Sequence, residues 1–186
     1  MKINATKIPG CYEISIDVFN DIRGNFVKTF QHTKYCELGL DTCFCEEYYT
    51  VSYKNVLRGL HFQTPPRDHT KLVYCSFGNI LDVVVDLRIG SPTYGEFELF
   101  ELSAETANLL YIPSGLAHGF YVLSDIAIMM YKVTSEYSPL HDSGILWNSI
   151  SVPWPSRNPI MSDRDKSFLP FYNFVSPFNF ERTSVL

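Results

Sequence analysis

Residues Ile80 to Leu87 alternate so regularly that a β-strand is the one regular element that fits them. Leu81, Val83, Val85 and Leu87 share one face, and Ile80, Asp82, Val84 and Asp86 share the other. Successive strand side chains point to opposite faces, so this period-2 pattern yields one wholly apolar side. Gly78-Asn79 precedes it and reads as a hairpin turn from a strand at Lys71–Phe77. Further strands are expected at His118 to Leu123 and Ala127 to Val133. Turn residues punctuate the chain at short intervals, among them Gly59, Pro65-Pro66, Gly90-Ser91-Pro92, Gly95 and Pro113-Ser114-Gly115. Short strands at such spacing predict an all-β sandwich or barrel.

Two segments break the pattern. Glu101 to Leu110 reads either as a short helix or as a strand end followed by a turn. The tail carries Pro153, Pro155, Pro159, Pro170 and Pro177, so it is expected to wrap the barrel irregularly, with one helical turn near Ser162–Lys166. There is no internal repeat, and 186 residues suit one core better than two, so residues 1–186 are read as a single domain.

Charge and cysteine usage narrow the partners. A net charge of −5 argues against a protein that coats nucleic acid, yet a few arginines and lysines suffice to hold a phosphate. Aromatic residues make up 15% of the chain, which favours strands and supplies flat surfaces for ring stacking. The five cysteines (Cys11, Cys36, Cys43, Cys45 and Cys75) form no C-x-x-C pair and are expected to be reduced packing residues, with Cys43 and Cys45 on one face of a strand. Reduced thiols imply the cytoplasm. Met1 to Tyr12 has no apolar run of signal-peptide length, and no stretch is long enough to span a membrane.

Several polar residues fall on or beside the expected strands: Arg58, His61, Lys71, His118, Tyr131 and Lys132. A charge inside an apolar run needs a partner or a wet cavity, and a jelly roll offers a cavity lined by alternate strand residues. Each residue also has a plain structural reading: a surface histidine, an exposed lysine, a core tyrosine bonded to a carbonyl, or aspartates Asp163 and Asp165 capping a helix. A metal site is not expected. No His-x-His occurs, and His32, His61, His69, His118 and His141 are dispersed.

Taken in order, the segments are more specific than any one of them. They run Phe19-Asn20-Asp21-Ile22-Arg23-Gly24, Val56 to Gln63, Lys71-Leu72-Val73, and Asp82 to Arg88 with Ser91-Pro92-Thr93-Tyr94-Gly95. Ile112 to Phe120, Tyr131-Lys132, Tyr137-Ser138-Pro139 and Gly144-Ile145-Leu146-Trp147 follow. Over nearly its whole length the chain resembles the dTDP-4-dehydrorhamnose 3,5-epimerase family. The resemblance implies a cupin-type jelly-roll barrel, a homodimer, no metal or organic cofactor, and a nucleotide-sugar substrate in deoxysugar supply, as for lipopolysaccharide O-antigen. By position, it makes His61 the general base, Asp165 (ahead of Asp163) its orienting carboxylate, Tyr131 the general acid and Lys71 the enolate stabiliser. Arg58, Arg23 and His118 match pocket positions, the arginines serving the diphosphate. Phe26 and Tyr137 match aromatics near the base.

The implied chemistry needs these residue types. A C4 ketone acidifies the hydrogens on C3 and C5, and a neutral imidazole held by a carboxylate can remove one. The enolate oxygen needs a fixed positive charge, and inversion needs a proton donor on the other face. Arg58 and His61 are an odd number apart, so they share a face only if Gly59 allows a bulge. The chain departs from the family at Lys28, Glu46 and Tyr48, where Glu, Gln and Asn are common. These departures predict altered base recognition, with anionic Glu46 accepting from an amino group such as that of cytosine. The alternatives are a single-centre epimerase of a CDP- or other NDP-sugar and, less favoured because acid and base are both retained, a non-catalytic sugar-nucleotide-binding barrel.

Overall fold

Two antiparallel sheets face each other across one interior. The computed structural model describes residues 1–181, so the last five residues of the expected domain lie outside the described residues. The first sheet orders its strands β1 (Lys2–Ala5), β2 (Tyr12–Ser15), β10 (Leu109–Ile112), β7 (Lys71–Phe77), β12 (Ile126–Val133) and β5 (Glu46–Tyr53). The second orders β13 (Asp142–Gly144), β6 (Leu57–Gln63), β11 (Leu116–Val122), β8 (Asn79–Asp86) and β9 (Phe97–Ser103). A separate hairpin joins β3 (Val18–Asp21) and β4 (Gly24–Val27). Two short helices, α1 (His32–Glu37) and α2 (Asp163–Lys166), complete the elements with a 3-10 turn at Phe171–Asn173. This is the all-β barrel that the strand spacing predicts, in the jelly-roll form that the resemblance implies.

Strand parity divides the apolar residues into three layers. Val73, Cys75, Met129 and Tyr131 from the first sheet meet Ile80, Val84, Phe100 and Phe120 from the second inside the barrel. Leu72, Leu109 and Tyr111 point outward from the first sheet and pack under Ile14, Tyr35 and Leu40. Val83, Val85 and Leu87 point outward from the second sheet and are covered by Val152 and Phe178 of the tail. The wholly apolar face of Ile80–Leu87 is thus the outer one, and the face carrying Asp82 lines the interior. Each fully buried apolar side chain contributes roughly 2 kcal/mol, so the tail is part of the core.

Two expectations are corrected, and one open alternative is decided. Gly78 does not close a hairpin: β7 pairs with β10 and β12, while β8 pairs with β9 and β11, so Gly78 turns a corner between sheets. It has φ +84°, and a Cβ there would lie 2.2 Å from the Ile126 carbonyl oxygen. Local turn chemistry cannot tell these two outcomes apart. Glu101–Leu110 is a strand end and turn, not a helix. Cys43 and Cys45 lie outside any strand and, with Cys36, are exposed; only Cys11 and Cys75 are buried packing residues, and all five thiols are free. The expected helical turn is α2, with the Ser162 hydroxyl accepting from the Asp165 N–H at its start.

Candidate active site

A β-bulge builds the site. Between His118 and Phe120 on β11, two steps along one strand match three along β6, from His61 to Arg58. The extra residue restores Arg58 and His61 to a common face, as the parity argument requires. Gly59 makes this possible. Its φ is +130°, and a Cβ would sit 2.6 Å from Gly119 Cα.

The bulge also frees a donor. The Gly59 N–H gives a 3.1 Å hydrogen bond to Asp165 Oδ2, while His61 Nε2 lies 2.9 Å from Asp165 Oδ1. The Asp165 carboxylate is buried and both of its oxygens are engaged. Burial pushes its carboxyl upward, but His61, the Gly59 amide and Ser162 outweigh this and hold it below the usual carboxylate value. An ionised Asp165 fixes the N–H of His61 on Nε2 and leaves Nδ1 as the basic nitrogen. Burial lowers the His61 pKa against the opposing pull of Asp165, so the imidazole is neutral at neutral pH. Asp163, the other aspartate considered, is exposed and pairs with Lys166 at 3.6 Å.

The cavity beside His61 has a volume of about 290 Å³, at the lower end of small-molecule sites, ~300–1,000 Å³. His61, Arg58 and His118 enter it from the second sheet, and Lys71, Tyr131, Tyr48 and Glu46 from the first. Lys71 is buried, not exposed as a strand-start lysine usually is, and donates to the His61 carbonyl at 3.0 Å. Burial lowers its pKa to about 8, against the pull of Asp142 and Asp82. Burial drives the Tyr131 phenol far above its ordinary value, so it holds its proton at neutral pH. Arg58 crosses to β5, with Nε 2.9 Å from Ser52 Oγ.

Sequence reasoning missed one residue behind the cavity wall, Asp82, and several that line it. His118 Nε2 bonds Asp82 Oδ2 at 2.8 Å, and Asp82 Oδ1 is buried without a partner. Asp82 sat in view on the alternating strand, yet only the partnership with His118 gives it a role. Asp142 and Arg164 pair at 2.8 Å on the cavity wall. Gln63 and His69 line it too, joined at 3.1 Å. Arg164 neighbours Asp165 in sequence, which is a signal that could have found it.

Other expected residues are placed differently. Tyr137 lines the cavity, its N–H bonded to Glu46 Oε2 at 2.7 Å and its hydroxyl to Asp142 at 3.3 Å. Glu46 therefore holds the Tyr137 loop with one of its two carboxylate oxygens. Arg23, Phe26 and Lys28 do not line this cavity. Arg23 and Phe26 belong to a separate concavity on the β3–β4 hairpin, where Arg23 is ion-paired to Asp21, and Lys28 is exposed beside it.

A jelly roll that sets a carboxylate-held imidazole and a protonated phenol on opposite walls of one cavity, with a buried lysine on the same lining, has the parts of an acid–base isomerase. The profile of the dTDP-4-dehydrorhamnose 3,5-epimerase family matches residues 5–173. The chain is 43% identical over 168 residues to the dTDP-4-dehydrorhamnose 3,5-epimerase of Shigella flexneri, spanning 89% of this chain and 93% of that one. The crystal structure of the Legionella pneumophila epimerase in complex with dTDP-4-keto-L-rhamnose is 34% identical, with a TM-score of 0.92 over 97% of this chain and 99% of that one. The Bacillus anthracis enzyme with TDP and PPi bound is 38% identical, with a TM-score of 0.87 over 90% and 97%. The chain belongs to the dTDP-4-dehydrorhamnose 3,5-epimerase family.

Proposed function

We propose that this chain epimerises C3 and C5 of a dTDP-linked 4-keto-6-deoxyhexose, converting dTDP-4-dehydro-6-deoxyglucose to dTDP-4-dehydrorhamnose. The observation that carries this is the pairing of His61 with Asp165 on one wall of the cavity that Tyr131 lines from the other. His61 removes the proton from the carbon next to the ketone, and the electron pair moves onto the ketone oxygen. The Lys71 ammonium stabilises that enolate oxygen. Tyr131 then delivers a proton to the same carbon from the opposite face, the carbonyl re-forms, and configuration is inverted. The imidazolium and phenolate left behind return to their resting states by proton exchange with solvent, so nothing is consumed.

The remaining binding roles follow the chemistry of the ligand. Arg58 and Arg164 are cations on the cavity wall suited to a diphosphate. His118, oriented by Asp82, serves the sugar, and the Tyr137 ring covers it. Arg23, Phe26 and Lys28 serve the pocket of a second copy. Two surfaces support this dimer: Phe19, Ile22 and Phe26 stand exposed on the hairpin, and Tyr49 and Tyr53 stand exposed on β5, an edge strand. The five free thiols fit a cytoplasmic enzyme of deoxysugar supply, as for O-antigen.

Proton NMR in deuterium oxide with dTDP- and CDP-4-keto-6-deoxyglucose tests the reading. Deuterium at both C3 and C5 of the dTDP sugar, with inversion, is the expected result. No exchange at either carbon would overturn it.

A further inference from the structure

Tyr48 and Tyr131 form the closest parallel ring pair among the described residues: their centroids are 4.7 Å apart and their planes differ by 12°. The pair is set by register, since Tyr48 on β5 lies directly opposite Tyr131 on β12. Both rings line the cavity, Tyr131 buried and Tyr48 part-exposed at 39%. On the same inward face of β5, Glu46 lies toward the Tyr137 loop, and Thr50 sets its buried hydroxyl beside the Tyr131 phenol. Thr50 offers the Tyr131 hydroxyl a side-chain hydrogen bond, and the stack with Tyr48 adds the planar contact that orients the phenol ring.

We propose that Tyr48 is a positioning residue for proton delivery: its ring clamps Tyr131 so that the phenol proton meets one face of the substrate carbon. This rests on Tyr131 as the proton donor in the reading above. A general acid works only within hydrogen-bond reach of the carbon it protonates, and small misplacements at a reacting centre are costly. A rotatable donor would sample other positions, and a partner ring stacked in parallel removes that freedom. The Tyr48 hydroxyl is not what matters. Burial, with Glu46 and Asp142 nearby, raises it to about 12, and it donates to no group among the described residues, so it acts through its ring face.

The test compares Tyr48→Phe with Tyr48→Leu, reading deuterium exchange and inversion separately by NMR, with kcat, KM and thermal stability for each. Tyr48→Phe keeps the stack and is expected to invert at close to the wild-type rate. Tyr48→Leu is expected to lose inversion about 10- to 100-fold in kcat, while His61-driven exchange with retained configuration continues and KM changes little. If Tyr48→Leu inverts at the wild-type rate, or if only KM rises, Tyr48 is a wall or a ligand contact and the proposal fails. An equal fall in exchange and inversion alongside a lower melting temperature would mark general damage and overturn it too. Failure of the wild-type chain to exchange any substrate proton would strike at the reading of the function, whereas the variants are compared only once the wild type turns over.

Discussion

His61 and Asp165 come from opposite ends of the barrel's construction, a central strand and the wrapping tail, yet sit 2.9 Å apart. The second carboxylate oxygen is taken by the Gly59 amide. The geometry therefore fixes the carboxylate before it fixes the imidazole. Asp165→Asn keeps the shape but makes the side chain a mixed donor and acceptor, which no longer enforces one His61 tautomer. The expected outcome is a kcat loss of ~10²–10⁴-fold with KM little changed. Steady-state kinetics decide it, and a loss under threefold would remove Asp165 from the mechanism.

The pH profile of kcat/KM should be bell-shaped. His61 must be neutral to act, and its pKa is lowered by burial from 6.5, so activity rises with pH and is already high at that value. Lys71 must be protonated to stabilise the enolate, so activity falls as pH passes about 8. Lys71→Arg, whose cation does not titrate in this range, should remove the alkaline limb while lowering the plateau. An alkaline limb unchanged in that variant would assign it to another group.

Tyr131→Phe removes one hydroxyl and little volume. Deuterium should still enter with retained configuration, because His61 can remove and return a proton, while inversion falls by ~10²–10⁴-fold. Wild-type inversion by this variant would require a different donor.

Gly59→Ala tests the bulge. A methyl group would collide with Gly119 Cα at 2.6 Å in a backbone conformation that disfavours L side chains. The expected destabilisation is about 2 kcal/mol or more, read by denaturant unfolding. A variant of unchanged stability would show that β6 can re-form without the bulge.

Mixing variants tests the exchange of hairpins between copies. Arg23→Ala lacks a residue that this reading gives to the neighbouring pocket, and His61→Ala lacks one in its own. A mixed dimer contains one intact pocket, so subunit exchange at equal amounts should restore about a quarter of wild-type activity. No restoration, with mixed dimers shown by mass spectrometry, would mean that the hairpin serves no second pocket.

The sequence made some of this legible and hid the rest for physical reasons. Alternation along Ile80–Leu87 and Ala127–Val133 reveals strands because side-chain direction is local. The odd separation of Arg58 and His61 even exposes the bulge, since parity is arithmetic. What alternation does not encode is which sheet a strand joins, so Gly78 reads as a hairpin when it is a corner. Nor does it encode which face is the interior: the wholly apolar side of β8 lies under the tail, and the side with Asp82 faces the barrel interior behind His118. The resemblance placed Arg23, Phe26 and Lys28 at the substrate, but one folded chain keeps them away from its own cavity. Glu46 reads from the sequence as a partner for a base, and alternation does not reveal that one of its oxygens also accepts from the Tyr137 amide.

The tail crosses the outside of the second sheet, making parallel bridges from Val56 to Ile160, Ile145 to Leu169 and Ile89 to Asn179. Asp165 rides on that strap. The strands of both sheets precede it in the chain, so the imidazole on β6 waits for a segment synthesised later to hold its tautomer. The strap therefore carries two things at once, the carboxylate that meets His61 and the apolar cover of Val83, Val85 and Leu87, so clipping it is expected to cost the barrel its outer core layer together with the partner of its imidazole.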